Sequence, residues 1–143
     1  MPRRAAARKH APPVFALAAA RSRGNLCALI MREGALMSTV SYDHRAITID
    51  GRRTLVLSGA VHYPRSTPAM WPGLMQVSRE SGLNTVETYV FWNLHERRRG
   101  VLDFSDRLDL VRFCRAAQAE GLHVILRIGP YICAETNYGG LPP

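Results

Sequence analysis

Hydrophobic and polar positions follow two periods along this chain, one typical of strands and one typical of helices. After residue 45 the pattern changes repeatedly from one period to the other. Short apolar runs rich in β-branched residues predict buried strands, and apolar residues spaced three and four apart predict amphipathic helices. We predict strands at residues 55–63, 85–92 and 123–128, with helices at residues 72–82 and 105–121. Strands that alternate with helices in this way are typical of βαβ units and a parallel sheet.

Turn residues predict one further element before the parallel sheet. Asp50 and Gly51 separate a run at residues 45–49 from another at residues 54–56. An Asp-Gly pair between two such runs is a strong hairpin signal, because both positions favour the left-handed backbone of a tight turn. We therefore expect a short N-terminal β-hairpin. At the second helix, Ser105 is the expected cap.

The start of the chain differs in charge from the rest. Residues 1–32 hold seven basic residues and no acid, so they carry most of the net charge of +8. Their basic start and the apolar run at residues 14–20 resemble a secretory signal, and an organelle transit peptide or a mis-joined coding segment fits them equally. We expect a basic leader at residues 1–37 and a folded part at residues 38–143.

Composition argues against several classes of function. The arginines do not gather with aromatic residues on one face, so no nucleic-acid partner is expected. No run approaches the roughly 20 apolar residues that span a bilayer, so no membrane partner is expected. Cys27, Cys114 and Cys133 form no CxxC pair, and the spacing of His62, His95 and Cys133 matches no common metal-ligand pattern. Neither a disulfide scaffold nor a metal site is predicted.

Polar and aromatic residues collect where each predicted strand ends. In folds built of βα units, these carboxyl ends carry the chemistry. They hold His62, Tyr63 and Arg65 after the first strand, Tyr89, Trp92, Asn93, His95 and Glu96 after the second, and Arg127, Tyr131, Cys133, Glu135 and Asn137 after the third. Planar rings suit the C–H faces of a sugar, and carboxylates and amides suit its hydroxyls. This pattern favours a carbohydrate site.

Three segments at these strand ends resemble the opening of glycoside hydrolase family 35, the plant-type β-galactosidases. The segments are SGAVHYPRSTPAMWP, ETYVFWNLHE and LRIGPYICAETNYGGLP, and the resemblance covers residues 40–142. It implies an α/β fold, a TIM (β/α)8 barrel. Such a barrel needs roughly 250 residues, so only its first three β/α units are expected here. Residues 38–143 would then be the N-terminal part of a catalytic domain.

The resemblance also implies retaining hydrolysis of terminal non-reducing β-D-galactosyl residues, without metal or organic cofactor. Both catalytic glutamates are expected beyond Pro143, so no catalytic residue is assigned. Tyr89 matches the tyrosine of the family's TYV-WN block, and Ala134 and Glu135 match its CAE motif, which implies that these three bind the substrate. A supporting set is expected around them: His62, Trp92, Asn93, Glu96, Arg127, Cys133 and Asn137.

Galactosides or cell-wall galactans are the implied substrates, and the apoplast, the cell wall or the vacuole is the implied location. The oligomeric state stays open. The alternative for the chain is a non-catalytic galactose-binding fragment or a truncated product without function. For Glu135 the structural alternative is an ion pair with Arg127, and for Tyr89 it is a packed ring with an internally bonded hydroxyl. Thr136 stands where many family members have tryptophan, so Tyr138 is the candidate for that aromatic wall.

Overall fold

The computed structural model describes residues 39–142, and the predicted leader at residues 1–37 lies outside them. The strands and α-helices follow in this order: β1 (Val40–Tyr42), β2 (Ile47–Ile49), β3 (Arg52–Thr54), β4 (Ser58–Ala60), α1 (Trp71–Glu80), β5 (Thr85–Tyr89), α2 (Trp92–His95), α3 (Leu110–Ala119) and β6 (His123–Arg127). Single turns of 3₁₀-helix lie at Tyr63–Arg65, Asp106–Leu108 and Asn137–Gly140.

The parallel sheet predicted from the sequence is present and has the order β4-β5-β6. Helix α1 connects the first two of these strands, α3 precedes the third, and the two helices pack on each other. This arrangement confirms the α/β class and the βαβ units. A closed eight-stranded barrel is not visible in residues 39–142 and stays an implication of the family.

The two faces of this sheet differ because successive side chains of a strand point to opposite sides. Val86 and Thr88 of β5 are fully buried, as is Val124 of β6. The core on their side also takes in the largest buried side chains of the helices, Trp71, Met75 and Phe113. The opposite face of the sheet carries Glu87, Tyr89 and Arg127, and it leads into the polar strand ends.

The predicted hairpin is present, with different bounds. Asp50 and Gly51 have φ of 50° and 75°, as a tight turn with two left-handed residues requires. The second arm is Arg52–Thr54, whereas the sequence predicted residues 54–56. Strand β1 pairs with β2 and makes this a three-stranded antiparallel sheet, which the sequence analysis missed because three residues give no measurable period.

The first parallel strand is shorter than predicted. Residues 55–63 were expected to be extended, but β4 covers only three of them. Before it, the Asn84 amide accepts a hydrogen bond from the Leu57 N–H (2.9 Å) and donates one to the Leu55 carbonyl (2.7 Å). The Asn84 side chain therefore satisfies these two backbone groups, so they need no hydrogen bonds to a neighbouring strand. Tyr63 falls in a 3₁₀ turn.

Two other predicted bounds are also corrected. The second strand ends at Tyr89, and Trp92 begins the short helix α2, which the sequence analysis did not predict. The predicted helix at residues 105–121 begins at Leu110, where the Asp109 carboxylate accepts the Arg112 N–H at 2.8 Å. The predicted cap, Ser105, donates its hydroxyl to Asp103 at 2.6 Å instead.

Candidate functional site

The second and third strand ends meet through a stacked pair. Tyr89 and Arg127 are register partners on β5 and β6. The guanidinium carbon of Arg127 lies 4.0 Å from the Tyr89 ring centroid, and its Nη1 lies 3.5 Å from Glu87 Oε1. From the first strand end, the His62 ring centroid lies 5.6 Å from that of Tyr89, with the ring planes tilted by 34°. All three strand ends therefore contribute to one cluster.

The loop that carries Ala134 and Glu135 is tied to both other loops. Arg65 donates a hydrogen bond to the Ala134 carbonyl, and its Nη2 lies 3.9 Å from Glu135 Oε2. Asn93 at the start of α2 donates to Thr136 Oγ1 at 3.1 Å. These contacts bring the predicted residues Asn93, Ala134 and Glu135 together. Arg65 was noted at a strand end but was not predicted as a site residue.

Glu135 has an unusual backbone. Its φ is 42°, in the left-handed region where a residue with a Cβ is uncommon and costs of order 1 kcal/mol or more. Its side chain is 89% exposed. Such strained positions cluster at functional sites, and here the strain presents an exposed carboxylate beside a guanidinium. Tyr138 has φ of 53° and is also exposed.

Tyr89 is packed, but its hydroxyl is available. Only 6% of the residue is exposed. Among residues 39–142, no hydrogen bond reaches the hydroxyl, so the internally bonded alternative is not what the structure shows. The ring is therefore held in place by its neighbours, while its polar end has no partner in this part of the chain.

The alternative ion pair between Arg127 and Glu135 is wrong. Arg127 pairs with Glu87, and among residues 39–142 the guanidinium that lies within 4 Å of Glu135 is that of Arg65. Glu87 was missed by the sequence analysis. The available signal was a single charge within TVETY, a strand whose other four residues are buried.

Tyr63 and His95 are buried in the interior and do not form part of the candidate site. The Tyr63 side chain is fully buried, and its hydroxyl lies 2.6 Å from His95 Nε2. His95 Nδ1 lies 2.7 Å from the Asp103 carbonyl, which can only accept, so Nδ1 carries the hydrogen and Nε2 accepts from Tyr63. The Phe91 N–H donates to the Tyr63 oxygen at 3.2 Å. Burial lowers the pKa of His95 and raises that of Tyr63.

Two predicted residues of the supporting set retain unsatisfied atoms. His62 Nδ1 and Asn93 Oδ1 are buried and have no hydrogen-bond partner among residues 39–142. Burial lowers the pKa of His62, and the nearby Arg65 adds to this effect. Buried polar atoms are normally paired, so these two atoms are open to a further hydrogen-bonding group.

Among residues 39–142, the remaining members of the supporting set make only local contacts or make no contact with the cluster. Trp92 donates a hydrogen bond to Glu96, which also accepts one from the Gly100 N–H at 2.6 Å. Both hydrogen bonds lower the pKa of Glu96, and the one from Gly100 has the larger effect. Cys133 and Asn137 are exposed.

A cavity of about 580 Å³ lies beside His95 and residues 97–105, and neither Tyr89 nor Glu135 lines it.

Residues 39–142 contain no group of three or more His, Cys, Asp or Glu side chains placed to hold a metal ion. None of their helices has the length and apolar character needed to cross a membrane. Cys114 is a buried free thiol in this part of the chain, and burial raises its pKa to about 12.

The fold and the site define a class: an α/β protein of βαβ units whose candidate site lies at the carboxyl ends of parallel strands. Comparison with known proteins then gives the family. The profile of Glycosyl hydrolases family 35 matches residues 46–143. Since this match covers more than half of the chain, the chain belongs to that family.

Its curated relatives include three plant proteins. The chain is 61% identical to Beta-galactosidase 6 of Oryza sativa subsp. japonica over 105 residues, which is 73% of this chain and 12% of that protein. It is 56% identical to Beta-galactosidase 8 of Arabidopsis thaliana over 76% of this chain and 13% of the relative. The chain is 54% identical to Beta-galactosidase 10 of the same plant, over 73% of this chain and 14% of that protein. The chain thus spans about an eighth of the length of these relatives.

Proposed function

We propose that this chain is the galactose-binding part of a retaining β-galactosidase that hydrolyses terminal non-reducing β-D-galactosyl residues. The observation that carries the proposal is that Tyr89 ends β5 and Glu135 follows β6, so both lie at the same edge of two paired parallel strands, in a chain of this family. The names of the relatives support the same reaction class. Galactosides or cell-wall galactans are the proposed substrates.

The roles follow from the chemistry of each group. The exposed Glu135 carboxylate is an acceptor for sugar hydroxyls, and charge-assisted hydrogen bonds of this kind are stronger than neutral ones. Tyr89 offers a fixed ring and a hydroxyl that has no hydrogen-bond partner among residues 39–142. Ala134 is buried, so we assign it a contact through its backbone. Several such contacts orient the sugar before any bond breaks.

Catalysis itself needs two carboxylates about 5–5.5 Å apart, one as acid/base and one as nucleophile. By the family resemblance we assign both to later strands of the barrel, outside this sequence. Residues 38–143 are then the N-terminal part of the barrel domain, and residues 1–37 are a basic leader. The apoplast, the cell wall or the vacuole is the proposed location. The short share of each relative that the chain covers supports this division.

The test is hydrolysis of a chromogenic β-galactoside by the 143-residue chain beside a version extended through the later strands. We expect activity only in the extended protein. In that protein, Glu135→Gln should raise KM strongly, because a neutral amide accepts weaker hydrogen bonds and also adds a donor. Glu80→Gln, an exposed carboxylate at the end of α1, is the matched control.

Activity in the 143-residue chain would show that the assignment of the catalytic carboxylates is incorrect. An extended protein that prefers a glucoside over the galactoside would refute the proposed substrate. Equal KM values for Glu135→Gln and Glu80→Gln would remove Glu135 from the binding site.

A further inference from the structure

Three charged or aromatic side chains share the face of the sheet that leads into the site. Glu87 and Tyr89 are two residues apart on β5 and therefore point to the same side. Arg127 is the register partner of Tyr89 on β6. The sheet thus fixes the spacing of all three groups through backbone hydrogen bonds, without relying on loops.

The contacts among them form a clamp on the tyrosine ring. The Arg127 guanidinium carbon lies 4.0 Å from the ring centroid, well inside the roughly 6 Å limit of a cation–π contact. Glu87 Oε1 lies 3.5 Å from Arg127 Nη1 and holds the guanidinium from the side. A planar guanidinium can stack on a ring and pair with a carboxylate at the same time, which the compact ammonium of lysine does less well.

This arrangement has little value as a stabilising ion pair. The Arg127 and Glu87 side chains are 46% and 30% exposed, and exposed pairs contribute little to the free energy of folding. What the pair does restrict is the position of the guanidinium, and with it the plane and tilt of the ring stacked against it. The Tyr89 hydroxyl, which has no hydrogen-bond partner in the described part of the chain, lies on that ring, so its direction depends on the clamp.

We propose that Arg127, held by Glu87, is a positioning residue that sets the orientation of the Tyr89 ring for galactoside binding. This inference rests on the proposed function, because it takes Tyr89 as a sugar contact. Arg127 acts through Tyr89 and not on the reacting atoms.

The experiment uses the full 143-residue chain and methyl β-D-galactoside as the probe, followed by NMR titration. Arg127→Met should weaken binding about fivefold, which corresponds to the roughly 1 kcal/mol of a cation–π contact. Arg127→Lys should retain part of the affinity, and Glu87→Gln should give a smaller loss. The control is Arg53→Met, which removes another exposed arginine–carboxylate pair, that with Asp43 at 2.6 Å, from the antiparallel sheet.

A second readout separates positioning from a structural role. The Arg127 Nε–H resonance should be shifted upfield by the Tyr89 ring current, and Tyr89→Leu should abolish this shift. Arg127→Met should lower the affinity while the urea midpoint of unfolding stays close to that of the unmodified chain.

Three results would overturn the inference. If Arg127→Met binds as tightly as the unmodified chain while Glu135→Gln does not, the galactose site stands and the clamp has no role in it. If the unmodified chain shows the ring-current shift but binds no galactoside, the proposed binding function of this chain fails, and the inference fails with it. If no ring-current shift is seen, the stacking itself is absent.

Discussion

The hydroxyl of Tyr63 joins three segments of the chain. It accepts the Phe91 N–H after β5 and donates to His95 at the end of α2, whose other ring nitrogen donates to the Asp103 carbonyl. Each of these polar groups is satisfied by another member of the same chain of hydrogen bonds. The network therefore fixes the first two strand-end loops relative to each other, beneath the candidate site.

Tyr63→Phe should destabilise the protein by about 1–3 kcal/mol, because the buried His95 Nε2 and Phe91 N–H would each lose a partner. The measurement is urea unfolding followed by far-ultraviolet circular dichroism. Tyr42→Phe is the matched control, since Tyr42 is 84% exposed and should change nothing. Equal midpoints for the two variants would show that the network does not contribute to stability.

His95 also gives the protein a pH dependence. Burial lowers its pKa from the ordinary value of 6.5, so the unfolded chain binds a proton more readily than the folded one. The stability that this group contributes is complete above about pH 6.5 and is lost as the pH falls through the folded-state pKa. Burial shifts the pKa of His62 and His123 in the same direction.

The urea midpoint should therefore begin to fall below about pH 6.5, well before carboxylates such as Asp43 and Asp103 are protonated. The pKa values of those two groups are lowered from 3.8, so their contribution is lost only in more acidic solution. A midpoint that is constant from pH 7.5 down to pH 4.5 would contradict the role given to the buried histidines.

At the scale of elements, the start of α3 shows a local choice between two capping residues. The Asp109 carboxylate accepts the Arg112 N–H, whereas Ser105 makes no hydrogen bond to the helix. Asp109→Ala should therefore cost about 1 kcal/mol, the usual value of an N-cap. Ser105→Ala should cost less, and thermal unfolding of the two variants compares them. The reverse order would mean that the helix begins at Ser105.

The order of helices and strands in the parallel sheet could be predicted from sequence because each has a clear hydrophobic period and a terminal glycine or proline. The bounds of β4 could not, because the Asn84 side chain replaces strand pairing before it. Helix α2 was missed for a related reason. It is one turn long, and its residues read equally well as the end of a strand.

The candidate site was predictable only in part. A carboxylate after a buried strand identified Glu135, but nothing in the sequence indicates its left-handed backbone or its proximity to Arg65. Tyr63 and Tyr89 look alike in sequence, since each lies at or near the end of a predicted strand. Only the packing shows that the first hydroxyl is bonded internally and that the second has no hydrogen-bond partner among residues 39–142.

At the scale of the molecule, the parallel sheet has two open edges in the described part of the chain. Within residues 39–142, neither β4 nor β6 has a neighbour on its outer side. Open edges pair readily with other chains.

We therefore expect the 143-residue chain to self-associate as its concentration rises, and a version extended through the later strands to do so less. Sedimentation velocity at several concentrations measures both. The extended version is the control, because it supplies neighbours for the same edges. A 143-residue chain that stays monomeric at high concentration would show that its edges are protected in another way.

At position 135 the left-handed backbone makes stability and galactoside binding favour different residues. Glycine adopts φ of 42° at no steric cost, so Glu135→Gly should stabilise the fold by several tenths of a kcal/mol to about 1 kcal/mol. The same change removes the carboxylate and should abolish galactoside binding. A thermal melt and a binding titration of this variant would show the two effects together. A selection for heat resistance alone would then favour the loss of the group that the proposed reaction requires.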